Sequence, residues 1–156
     1  MNTSVLQEFK REYIRKASPH VQEYIQGCFD VLTVKQPYAS MLVMGVKKYE
    51  YRKYRLPEHI VGKPILIHAG SQPLRARVKV SEELYNFYMD LAERKSLFKC
   101  IIGAVVFGES ELSDAPVFTG YRWPVEECLL FTREVRDIRG NQKIWKIGLS
   151  SPIRTE

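Results

Sequence analysis

The sequence has few cysteines, few histidines and no long apolar run, and each shortage excludes something. Its three cysteines, Cys28, Cys100 and Cys128, are widely spaced and form no CxxC pair. That argues against a disulfide framework and a cysteine zinc site, and it suits a reducing, cytoplasmic setting. No second histidine stands at ligand spacing from His68, so no metal is expected, and nothing in the pattern asks for another cofactor. The longest nearly unbroken apolar stretch, Cys100 to Gly108, is far short of the ~20 residues of a membrane helix, so no membrane partner is expected. Asn2 to Lys16 carries charges where a secretory leader needs an apolar stretch. Phosphate-loop and dinucleotide glycine fingerprints are missing, as is a nucleophile elbow.

What is present is an ordinary globular composition, with 45% apolar and 27% charged residues over 156 positions, enough for one domain with a core of its own. Residues 1–27 read as a helical extension. Val5, Phe9 and Tyr13 follow helical spacing, and Ser18-Pro19 starts a second helix with Val21, Tyr24 and Ile25 on its apolar face and Gly27 as its cap. Residues 28–156 read as the main domain. Phe29 to Val34 is a strand, Pro37 opens a helix ending at Gly45, and Tyr49 to Tyr54 alternates like a strand. Ile65 to Ile67 is a buried strand. Ser81-Glu82-Glu83 starts a helix with Leu84, Phe87, Tyr88 and Leu91 on one side. Ile101 to Leu112, Cys128 to Phe131 and Lys143 to Leu149 are further strands, with a loop from Asp114 to Pro124 and a turn at Gly140-Asn141. Strands without regular helical alternation point to an α+β protein: a small mixed or antiparallel β-barrel with decorating helices.

The net charge of +6 is unevenly placed. From Gly45 to Arg55 the chain reads GVKKYEYRKYR, with five basic residues, three tyrosines and one acid, a local charge of +4. Cations that neutralise phosphates, interleaved with rings that stack on bases, suit a nucleic-acid surface. Strand alternation puts Lys48, Glu50 and Arg52 on one face and Tyr49, Tyr51 and Lys53 on the other. The competing reading is a charged edge strand that blocks aggregation. A second basic set, Arg133, Arg136, Arg139, Lys143 and Lys146, is interleaved with Glu134 and Asp137 and reads as a solvated face beside Trp145. Arg75, Arg77 and Lys79 form a polar loop or one face of an extended stretch. His68 ends an apolar strand, the usual place of a hydrogen-bonded structural histidine.

The segment VKQPYASMLVMGVKKYEYR joins a Gln-Pro-aromatic-Ala start, Gln36 to Ala39, to G-x-K-x-x-E-x-R, here Gly45, Lys47, Glu50 and Arg52. In this it resembles the ASCH domain (activating signal cointegrator homology), a relative of the PUA RNA-binding fold. ILIHAGS, CIIGAVVFGESEL and RGNQKIWKI resemble later strands of that family in order, so the likeness spans roughly Phe29 to Leu149. The resemblance implies a PUA-like barrel with a cleft beside its first helix. That cleft would hold RNA, single-stranded nucleic acid or a modified nucleoside, with Gln36, Tyr38, Lys47, Glu50 and Arg52 lining or supporting it and His68 close by. Lys47 would meet a phosphate or carbonyl oxygen, Glu50 a base edge or Lys47 itself, Arg52 either Glu50 or a phosphate, and the N-terminus of the helix from Pro37 an anion.

A binding module is the first expectation. The alternative is a small hydrolase, an amidohydrolase on acylated cytidine or a ribonuclease, with Lys47 as base or nucleophile and Glu50 shuttling a proton. Amidohydrolase relatives carry Thr where this chain has Glu50, so the same mechanism does not carry over intact. A third reading makes the chain a protein-interaction module that docks through its N-terminal helices.

Overall fold

In the computed structural model, residues 4–16, 23–77, 80–113 and 119–155 are described. The chain is an α+β protein, and among the described residues it is a strongly curled mixed sheet with three short helices on it. In chain order these are α1 (Val5–Tyr13), β1 (Ile14–Lys16), β2 (Glu23–Val34), α2 (Tyr38–Val43), β3 (Tyr49–Arg52) and β4 (Pro64–Ala69). Then follow α3 (Glu82–Arg94), β5 (Cys100–Phe107), β6 (Glu111–Leu112), β7 (Tyr121–Val135) and β8 (Ile144–Thr155).

The sheet runs β1-β2-β4-β5-β7-β3, and β8 pairs with both β2 and β7, curling the sheet into a half-barrel that β8 brings towards closure. Among the described residues only β2 and β4 pair in parallel, with Thr33 opposite His68 and Val34 opposite Ala69. Parallel neighbours need a crossover, and α2 and β3 lie within it.

Both faces of the sheet are covered. Alternate residues of the central strands enter two cores: Leu32, Ile65, Ile67, Ile102 and Val105 in the one under α2 and α3, and Val31, Leu66, Ile101, Ala104 and Val106 in the one under α1. Hence β5, CIIGAVVF, is apolar and buried throughout rather than alternating. Helix α2 packs so closely over β5 that a β-carbon on Gly103 would lie 2.8 Å from Val43 Cγ1, besides 2.2 Å from the Leu129 carbonyl oxygen of the neighbouring β7. This contact fixes the height of α2, and with it one wall of the cleft.

Several expectations change. The helix from Val5 holds, with Ser4 as its N-cap, but the helical reading of 23–27 does not: Tyr24, Ile25 and Gly27 lie in β2. These residues pair with β8 from Glu23 opposite Ile153 to Leu32 opposite Ile144, a nonlocal partnership that overrides local helix signals. The helix start at Ser18-Pro19 and Val21 lies outside the described residues. Helix α1 docks its buried Leu6 and Phe9 on the sheet, and the Glu127 carboxylate of β7 accepts from Ser4 Oγ and from the Val5 and Leu6 amides.

Helix α3 starts after Ser81 as expected, but its buried face is Tyr85, Met89 and Ala92, while Leu84 and Phe87 are exposed. The strand expected over Ile101–Leu112 splits at Gly108 into β5 and β6. The loop expected to reach Pro124 gives way to β7 at Tyr121, and 114–118 lie outside the described residues. Among the described residues no helix is long and apolar enough to cross a membrane.

Candidate ligand-binding site

Beside α2 lies a cleft of about 830 Å³ that gathers Tyr38, Lys47, Glu50 and Arg52 with Tyr51 and Tyr54. Chain geometry around α2 makes it. Just past the end of α2, Gly45 takes left-handed backbone, and the Val46 and Lys47 amides both turn back to the Met41 carbonyl, at 2.9 and 3.1 Å. That tight return aims the Lys47 side chain inward before β3 begins.

Lys47 Nζ donates to the Tyr49 carbonyl and, over 3.0 Å, to Glu50 Oε1. It also faces the rings of Tyr51 and Tyr38, 5.0 and 5.5 Å from their centroids. Arg52 Nε donates to Glu50 Oε2 at 2.8 Å, and its Nη2, also 2.8 Å from Glu50 Oε2, reaches the Thr33 carbonyl at 3.0 Å. Glu50 is therefore clamped between two cations, and the triad keeps one net positive charge. Burial alone would push the Glu50 carboxyl up. The Lys47 ammonium and the Arg52 guanidinium, both hydrogen-bonded to it, outweigh that and hold it below the usual carboxylate range. Lys48, expected beside Glu50, is exposed and bonds the Gly45 carbonyl instead, because β3 starts only at Tyr49 and strand alternation does not reach back to it.

Gln36 is fully buried and does not reach the cleft surface. Its Nε2 donates to the Leu97 carbonyl, and its Oε1 accepts from the Ser40 amide, each at 3.0 Å. It caps α2 and ties it to the turn after α3, a positioning role. The same bonds overturn the expectation that α2 offers amides to an anion. The Tyr38 and Ala39 amides donate to the Lys35 carbonyl and the Ser40 amide to Gln36, so the first turn is already satisfied. The Tyr38 hydroxyl donates to the Ala76 carbonyl at 2.6 Å, which pins the 74–76 segment as the opposite wall.

His68 lies behind this cleft, on the floor of a second cavity of about 780 Å³. Its Nε2 is 2.7 Å from the Ile138 carbonyl, which can only accept, so Nε2 carries the proton and Nδ1 accepts from Thr33 Oγ1 at 3.1 Å. Thr33 Oγ1 in turn accepts from Trp145 Nε1 at 3.0 Å. The chain of bonds Trp145–Thr33–His68–Ile138 runs in one direction and uses both imidazole nitrogens. Burial pushes the His68 pKa down, against a smaller upward pull from the Ile138 bond, so the ring is neutral at pH 7. A β-carbon on Gly140 would lie 2.8 Å from both His68 Cε1 and Thr33 Oγ1, so the closing Gly-Asn turn rests directly on this pair.

Sequence reading missed Thr33, Tyr54, Asn141 and Gln142 as lining residues, and it placed Lys143 on a solvated face. Lys143 is exposed, as expected, and its Nζ lies 5.9 Å from the Tyr54 ring centroid at the cleft mouth. The rest of that basic set divides: Arg136 is held by the Ser96 and Lys95 carbonyls, Lys146 pairs with Asp30, and Arg139 lines the second cavity. Arg75 and Arg77 lie in an exposed loop, and Lys79 is outside the described residues. Among the described residues no group of His, Cys, Asp and Glu could hold a metal. Burial pushes the Cys100 thiol up to about 12, which makes it unreactive.

No protein-family model matches the chain, and no curated protein matches it.

Proposed function

We propose that the cleft binds the base-bearing part of a single-stranded nucleic acid or a nucleotide-like ligand, as an ASCH-like, PUA-like module would. The observation that carries this reading is the Lys47–Glu50–Arg52 clamp set among the rings of Tyr38, Tyr51 and Tyr54. Aromatic walls accept the flat faces of a base, and a triad with one surplus positive charge accepts a carbonyl or phosphate oxygen. The likeness of Gln36–Ala39 and Gly45–Arg52 to the ASCH motif supports the same reading.

Binding is favoured over hydrolysis by how the polar atoms are used. Both Glu50 oxygens are engaged by cations, and Lys47 is held by a carboxylate and a carbonyl, so neither is poised to take a proton from a substrate.

Fluorescence anisotropy with a labelled single-stranded RNA dodecamer tests the reading. Binding should weaken with added salt, and the Tyr51→Ala/Arg52→Ala variant should lose most of it. Equal affinity in parent and variant, with the same salt slope, would remove the cleft from consideration.

A further inference from the structure

The second cavity has a different chemistry from the first. Lys35, Lys99 and Arg139 reach it from three separate segments: after β2, before β5 and after β7. Among the described residues none of the three has an ion-pair partner, as is also true of other exposed cations such as Lys63; what sets them apart is that they converge on one cavity. One carboxylate, Asp137, shares the cavity, which leaves a surplus of two positive charges, and Ser71, Gln72 and Asn141 add uncharged donors.

The floor is rigid. His68 and Thr33 are locked by the directional bonds described above, with Gly140 packed against both. The rim is held as well: the Ile138 amide donates to the Lys99 carbonyl at 2.9 Å, and the Lys99 amide to the Ala69 carbonyl at 2.8 Å. Lys99 and Asp137 both adopt left-handed backbone, at φ 57° and 61°, a conformation that side-chain-bearing residues keep only where the surroundings impose it.

The two cavities are contiguous. Thr33, Lys35, Asn141 and Gln142 line both, and Thr33 gives its carbonyl to Arg52 on one side and its hydroxyl to His68 on the other. An aromatic chamber that opens beside a cationic, polar one matches a ligand built the same way.

We propose that the Lys35–Lys99–Arg139 cavity is a phosphate subsite, so that the ligand is a phosphorylated nucleoside with its base in the aromatic cleft and its phosphate on these three cations. This rests on the reading that the cleft takes a base. The phosphate is either the terminal group of a free nucleotide or a backbone phosphate of a single strand, and the chemistry of recognition is common to both.

Calorimetric titration of the full chain with the four ribonucleosides, their 5′-monophosphates and a single-stranded tetranucleotide tests this. A phosphorylated ligand should bind at least about tenfold more tightly than its nucleoside, the gain expected from charge-assisted hydrogen bonds. Lys99→Ala/Arg139→Ala, at two exposed side chains, should erase that gain and leave nucleoside affinity unchanged. Lys63→Ala/Arg133→Ala, which removes equal charge elsewhere on the surface, should keep it. A gain with the monophosphate assigns a terminal phosphate, and a gain with the tetranucleotide alone assigns a backbone phosphate; both support the subsite. Nucleosides and nucleotides that bind equally, or a gain that survives Lys99→Ala/Arg139→Ala, would overturn it while the base-binding reading stands. Absence of binding by every ligand would overturn both.

Discussion

Lys47 and Glu50 form a buried ion pair, Nζ to Oε1 at 3.0 Å, with side chains 7% and 6% exposed. Two charges so far from water are costly to bury and more costly to separate. Lys47→Met leaves Glu50 with Arg52 as its only cationic partner, and Glu50→Gln leaves the Lys47 ammonium buried without its carboxylate. Each single variant should lose about 3 kcal/mol or more in urea unfolding, the usual cost of breaking a buried pair. The double variant should lie closer to the parent than the sum of the two, because it removes both charges together. Strict additivity would mean that the two groups do not interact.

The lowered carboxyl of Glu50 also sets a pH dependence. A carboxylate held below its ordinary value of 4.5 contributes stability that is fully present above that value and is lost as the pH falls through the folded-state value. Unfolding free energy should fall below pH 4.5 in the parent, and this part of the fall should be absent in Glu50→Gln.

His68 behaves as a buried neutral base. Its folded pKa lies below the ordinary 6.5, so as the pH falls from 6.5 towards the folded value the unfolded chain takes up the proton first and stability declines. The Cε1 proton of His68 should titrate below pH 6.5 by NMR. Titration at or above that value would contradict the assignment of a proton on Nε2 and a bond accepted at Nδ1.

Gly140→Ala should be destabilising although it adds a single methyl, because that carbon lands 2.8 Å from both His68 Cε1 and Thr33 Oγ1. The expected loss is about 1–3 kcal/mol, as for overpacking elsewhere, with a changed His68 titration as its local signature. Unchanged stability and an unchanged titration would show that the turn does not rest on this pair.

Glu127 caps α1 from across the sheet, with its carboxylate held low against burial by Ser4 and the Leu6 and Val5 amides. Glu127→Ala should cost about 1 kcal/mol, as a lost helix cap does, and should speed exchange of the Val5 and Leu6 amides with solvent. The core under α2, and ligand affinity with it, should be unaffected.

The parts of the protein legible in its sequence are those whose signals are local. Ser81 announces α3, the apolar run from Cys100 announces β5, and the resemblance carried by Gly45, Lys47, Glu50 and Arg52 implies contacts of Glu50 with Lys47 and Arg52. What was not legible depends on distant partners. Residues 23–27 are strand because β8 lies beside them, and Lys48 falls away from Glu50 because the chain turns back on Met41 before β3 begins. Lys99, Arg139, Asn141 and Gln142 come from loops, which carry no periodicity, and only the closing of the sheet brings them to one cavity. Gln36 was legible as a motif residue, yet its buried bonds to Leu97 and Ser40 give it a positioning role.

The measurement that most directly tests the central claim is a crystal structure of the protein soaked with a single-stranded tetranucleotide. The expected result is a base seated against Tyr51 and Tyr54, with an oxygen of the ligand on Lys47 or Arg52. A ligand bound elsewhere on the surface, with the cleft between Tyr38 and Tyr54 empty, would contradict it.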